Sequence, residues 1–188
     1  MSDYTDHERI EALISIAETA CDSAAKQYDD YYKSFAALDG KAQSTATVGG
    51  VVLAAVVAFM NAGRLSPLLS NAGDCGYLLV LSPAIGALLA VVMSFVASKV
   101  MDITVPFAAD DQIKEAEDLA RLPPEELSRE HLLGYQRARL NHWKEALSDI
   151  SSGVRKKATL VFWAQMLLVL TLFLLLTLFI ALVSQAAH

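Results

Sequence analysis

At 188 residues the chain has the length of one soluble domain or of a small membrane protein, and its 54% hydrophobic content and mean hydropathy of +0.39 point to the second. The formal net charge is −6, and the first 44 residues hold nine acids against four bases. No basic stripe with interleaved aromatics accompanies that charge, which excludes nucleic acid as a partner.

Residues 7–38 read as one amphipathic helix. Ile10, Ile14, Ala17, Cys21, Ala24, Tyr28, Tyr31, Phe35 and Leu38 follow an unbroken 4-3 spacing, the pattern of a helix burying a narrow seam against another helix. No apolar signal-peptide core precedes it, so an uncleaved chain is expected. Asp39-Gly40 is the place where this helix should end or bend. Lys41 then marks the aqueous surface, and water should end near Ser44 or Thr45.

Three blocks lack any Asp, Glu, Lys, Arg or His: residues 44–61, 77–98 and 158–183. Each meets or approaches the ~20 apolar residues needed to cross a hydrocarbon core. In the first, Ala46, Gly50, Ala54 and Ala58 recur every four residues; in the second, Gly86, Ala90 and Ser94 do the same. Small residues at this spacing predict close helix packing in lipid, where association rests on packing rather than on the hydrophobic effect. A loop over 62–76 would join the two as an antiparallel hairpin, with Ser82-Pro83 kinking the second span or marking its first turn. Cys75 falls in that loop and Cys21 on the other side of the membrane, so no intrachain disulfide is expected.

Residues 100–157 divide at Pro123-Pro124. A short acidic helix is expected over 110–122, and a long helix follows, with Glu125-Glu126 in its first turn. Its seam is Leu133, Gln136, Leu140, Trp143, Leu147, Ile150 and Val154. Both seam helices enter the membrane at their C-terminal ends, so they can lie parallel as a cytoplasmic stalk about 40–50 Å long, within one chain or between chains. The triplet Arg155-Lys156-Lys157 before the last span reads as a headgroup clamp. That last span is mostly Leu, Phe, Val and Ile, a surface suited to lipid; the Thr171 and Thr177 hydroxyls can bond back to the helix.

The fold expected is therefore an all-α membrane protein with three transmembrane helices and a cytoplasmic stalk. Its parts are an amphipathic helix (1–40), a transmembrane hairpin (41–99), a cytoplasmic segment (100–157) and a third span with a short tail (158–188). Lysine and arginine crowd into residues 1–44 and 99–157, whereas the loop over 62–76 holds only Arg64. That asymmetry places the N-terminus inside and the C-terminus outside.

No span carries an ionisable residue, which weighs against proton relays and ion-coupled transport. HExxH, GxSxG, GxxxxGK[ST] and GxGxxG are all absent, and His131 and His142 stand too far apart in register for a metal pair. No enzyme, metal or resident cofactor is expected. In "GYQRARLNHW", Arg137, Arg139 and Trp143 are candidate contacts for a phosphate and a stacked base, with a solvated helix face as the plainer reading. Tyr28, Tyr31, Phe35 and Trp143 likewise suit an aromatic pocket or, at heptad spacing, core packing.

Two short entries carry a resemblance. Asp39-Gly40-Lys41-Ala42 leads into the first span and "VRKKATLVFWAQMLLV" opens the last. In this order the chain resembles the small transmembrane effectors of bacterial anti-phage defence, of the Pycsar type and the related SLATT-like helical domains. The resemblance implies a dormant inner-membrane protein that clusters and breaches the membrane on a nucleotide or partner signal. The partners expected are the bilayer, further copies of the chain and a cytoplasmic signalling protein. Two other readings need only the seams and spans: a membrane-anchored coiled-coil adaptor, and a small passive channel.

Overall fold

The computed structural model describes residues 2–61, 66–99, 128–186 and five positions between 114 and 121. The long elements are helices α1 (Ser2–Asn61), α2 (Ser66–Lys99) and α3 (Arg129–Ala186). They contribute to two compact units. One comprises Met1–Ser34 with Asp102–Val154, the other Phe35–Met101 with Arg155–His188.

In the first unit α1 and α3 run parallel. Arg129 pairs with Glu11, and the Gln136 amide nitrogen donates to Glu18 at 3.3 Å, so both contacts join residues 118 apart. Tyr28 and Trp143 meet edge-to-face with ring centroids 5.8 Å apart. Ala17, Cys21 and Ala24 are buried on α1, and Ala146 and Ile150 on α3. The two seams thus pair within one chain. Ile14, Tyr28, Tyr31, Leu140, Trp143 and Leu147 are half-buried along them.

Four sequence expectations change. The helix does not end or bend at Asp39-Gly40, because α1 continues through both residues. A mid-helix glycine costs only about 1 kcal/mol relative to alanine, and the buried Phe35 and Ala42 on either side hold the helix together. The loop expected over 62–76 is largely helical, since α2 begins at Ser66 and carries Pro83 inside it. The long C-terminal helix starts later than Pro124: Ser128 is its cap, accepting the His131 N–H on both its carbonyl (3.1 Å) and its hydroxyl (3.4 Å). Glu125-Glu126 lie outside the described residues, as does most of the helix expected over 110–122. Within that stretch Lys114, Glu117, Asp118, Ala120 and Arg121 are helical and exposed.

In the second unit α2 runs antiparallel to α1 and α3. Ala42, Ala97 and Val161 cluster at one level, and Val52, Val56, Ala87, Ala90 and Leu168 at another. The fourth correction concerns the small-residue stripe. The buried line on α1 is Ala42, Thr45, Gly49, Val52 and Val56, whereas Ala46 is half-buried and Gly50, Ala54 and Ala58 face outward. Four residues advance a helix by about 400°, so an every-fourth stripe winds about 40° per step and leaves any fixed neighbour. The 3-4 alternation stays on one side, and it runs unbroken from Ile10 to Phe59. On α2 the same winding carries Ala90 and Ser94 through the buried face, with Gly86 half-buried.

Two glycines mark where backbones approach closely. A Cβ on Gly49 would stand 2.8 Å from Val91 Cγ2, and one on Gly86 would collide with the Thr171 hydroxyl. Nothing lies within 4 Å of a Cβ built on Gly50. Thr171 donates to the Leu167 carbonyl at 2.8 Å and Thr177 to that of Leu174.

All three helices are long and apolar enough to cross a membrane. Their outward faces agree. Val51, Ile85, Phe95, Phe162, Leu170, Phe173, Phe179 and Ile180 are all more than half exposed, a surface that lipid solvates and water does not. The chain has the features of a membrane protein.

Candidate functional site

The second unit holds a charge where none would be expected. Lys157 on α3 is completely buried. It sits on the packed face of its helix, between buried Gly153 and Val161, one turn away on either side. Phe35 and Asp39 on α1, four residues apart, share one helix face and receive it. Lys157 Nζ lies 2.5 Å from Asp39 Oδ1 and 3.5 Å from the centroid of the Phe35 ring. The approach to the carboxylate is short but off the hydrogen-bonding direction, so the ammonium has charge compensation without a directed hydrogen bond. Like the two contacts of the first unit, this pair joins residues 118 apart.

The two partners differ in solvation: the Lys157 side chain is 0% exposed and that of Asp39 is 41% exposed. Taking an ammonium out of water costs several kcal/mol, which one carboxylate and one aromatic face must offset. Lys157 therefore depends on Asp39 far more than Asp39 depends on Lys157. This corrects the reading of Arg155-Lys156-Lys157 as a single clamp. Arg155 and Lys156 are exposed, and Lys157 points inward.

Beside Asp39 opens a cleft of about 560 Å³ between α1 and α2, with Gln43, Thr47, Ser94, Phe95 and Ser98 in its walls. It lies where the apolar run of α1 begins and that of α2 ends.

No protein-family model, curated protein or solved structure matches this chain.

The residues marked for a phosphate and a base do not form one site. Arg137 is exposed, whereas Arg139 and Trp143 are half-buried toward α1, and residues two apart on a helix point about 200° apart. Arg139 reaches the surroundings of Cys21, where burial pushes the thiol up and the guanidinium partly opposes that shift. Burial also pushes up the Tyr28 phenol, with Tyr32 adding to it. Tyr28 and Trp143 pack on each other in the first unit, while Phe35 belongs to the second and lies under Lys157. Among the described residues, no three His, Cys, Asp or Glu side chains gather as metal ligands.

Sequence reasoning missed the Asp39–Lys157 pair, Gly49 and the cleft. A signal was present. Continuing the 4-3 count past Leu38 lands on Ala42, Thr45, Gly49, Val52 and Val56. Stepping the Gln136–Trp143–Ile150 row forward by seven lands on Lys157.

Proposed function

We propose that this protein is an oligomerising effector of the bacterial inner membrane, with its N-terminus cytoplasmic and its C-terminus outside. It stays dormant until a cytoplasmic nucleotide or partner signal opens its helices and the membrane loses integrity. The observation that carries this reading is Lys157, a fully buried cation held by one half-exposed carboxylate. A helix bundle closed over such a charge is stable only while its counter-ion stays in place, which suits a protein that must be quiescent and then open. The resemblance to anti-phage transmembrane effectors supports the same reading, because its two short entry motifs supply the two partners, Asp39 and Lys157. The stripe of Gly50, Ala54 and Ala58 faces outward and suits packing between copies.

The test is induced expression with the neighbouring genes supplied, read by a potential-sensitive dye and by growth. Depolarisation and growth arrest that require the signalling partner are expected. Asp39→Asn should depolarise without it. Unchanged potential and growth under every condition would sink the effector reading. A stoichiometric protein partner without toxicity would favour the adaptor instead.

A further inference from the structure

The geometry points to the cleft between α1 and α2 as a binding site for the headgroup of an ethanolamine phospholipid, its primary ammonium on Asp39. Apart from the Gln43 amide, the polar side chains of the cleft present acceptors. Each hydroxyl in its walls already spends its single proton on its own helix: Thr47 donates to the Gln43 carbonyl at 2.9 Å, Ser94 to that of Ala90 at 2.8 Å, and Ser98 to that of Phe95 at 2.9 Å. What remains toward the cavity is oxygen lone pairs. Asp39 Oδ1 faces Lys157, and its second carboxylate oxygen has no partner among the described residues. A wall of acceptors ending in a carboxylate selects a charged donor with several N–H groups. It selects against choline, which has none.

Position and charge name the rest of the ligand. Asp39 and Gln43 sit outside the apolar runs, Thr47 and Ser94 inside them and Ser98 at the very end of the second, so the cleft straddles the boundary between headgroup and acyl chain. Phe95 lines it and is 59% exposed, giving an apolar wall for the start of an acyl chain. Lys99, one turn beyond Phe95 on the same helix face, is exposed and suits the lipid phosphate. A free amine would use the carboxylate but neither the aromatic wall nor Lys99. The volume suits a headgroup with its glycerol, since ligand clefts run from about 300 to 1,000 Å³.

The site rests on the reading that these helices lie in a membrane, but not on what the protein does to that membrane. The experiment is therefore done on purified full-length protein in mild detergent. Native mass spectrometry and thermal unfolding are recorded with phosphatidylethanolamine, phosphatidylcholine and phosphatidylglycerol of identical chains, and with free ethanolamine. Phosphatidylethanolamine should be retained about tenfold more strongly than phosphatidylcholine, the scale of one charge-assisted hydrogen bond. Ser98→Leu, which fills the cleft, should abolish that preference. Should Ser98→Leu fail to fold, the exposed Gln43→Leu serves in its place. Equal retention of the ethanolamine and choline lipids would overturn the proposal. So would a phosphatidylglycerol preference indifferent to cleft filling, or equal protection by free ethanolamine. A lipid preference with no effect on membrane potential in cells would leave this site standing and remove the effector reading. Depolarisation without the preference would do the reverse.

Discussion

Replacing Asp39 by Asn removes the counter-ion of a side chain that is 0% exposed. At 2.5 Å and an effective dielectric of about 20, the gross attraction is about 6–7 kcal/mol. Much of that already offsets the desolvation of Lys157. Breaking a fully buried pair costs about 3–5 kcal/mol, and here the 41% exposure of Asp39 lets water screen the contact, so the expected loss is about 2–4 kcal/mol. Lys157→Met keeps most of the side-chain volume, removes the charge and leaves Asp39 partly solvated. It should cost less than about 1 kcal/mol or stabilise the protein. The double variant should behave like Lys157→Met alone. Thermal unfolding in detergent, followed by circular dichroism, reads the difference: a fall of roughly 5–15 °C for Asp39→Asn and little change for the other two. If Lys157→Met proves as damaging as Asp39→Asn, the one-sided dependence derived from burial is refuted.

Gly49→Val should destabilise by about 1–3 kcal/mol through overpacking against Val91, while Gly50→Val leaves the monomer unchanged. Paired unfolding curves decide this, and any effect of Gly50→Val should appear only in the oligomeric state. Gly86→Ala should destabilise by a similar amount, with Thr171→Ala giving relief and Thr171→Ser, which keeps the oxygen, giving little, because the collision is with that hydroxyl. In a Cys75→Ser background, Cys21 should alkylate slowly at pH 7.5, since it is 1% exposed and burial holds its thiol above the ordinary value of 9.0. The rate should keep climbing beyond the pH at which a free thiol levels off. Fast labelling at neutral pH would contradict the packing of α1 on α3.

The spans were legible because charge is absent from three blocks, and the helical seam because polar residues outline it from Ile10 to Leu38. Beyond Leu38 the outline vanishes: lipid-facing and packed positions are both apolar, so hydropathy no longer distinguishes the sides of α1. The eye then follows Ala and Gly, whose every-fourth recurrence winds round the helix. Only the phase of the earlier seam, carried forward, finds Gly49. Lys157 was hidden differently. Two exposed basic neighbours made it look like part of a surface cluster, and its counter-ion lies 118 residues away in sequence.

That separation bears on how two long helices find one alignment. Arg129, Gln136, Trp143, Ile150 and Lys157 stand seven apart on α3, and Glu11, Glu18, Tyr32 and Asp39 occupy the matching period on α1. A slip of one heptad along such repetitive faces would still bury apolar residues and would still offer Arg129 a carboxylate, Glu18. It would also bring Lys157 opposite Ala46, with no anion to meet it. The ion pair is thus a registration key: among alignments that packing alone ranks nearly equal, it admits one.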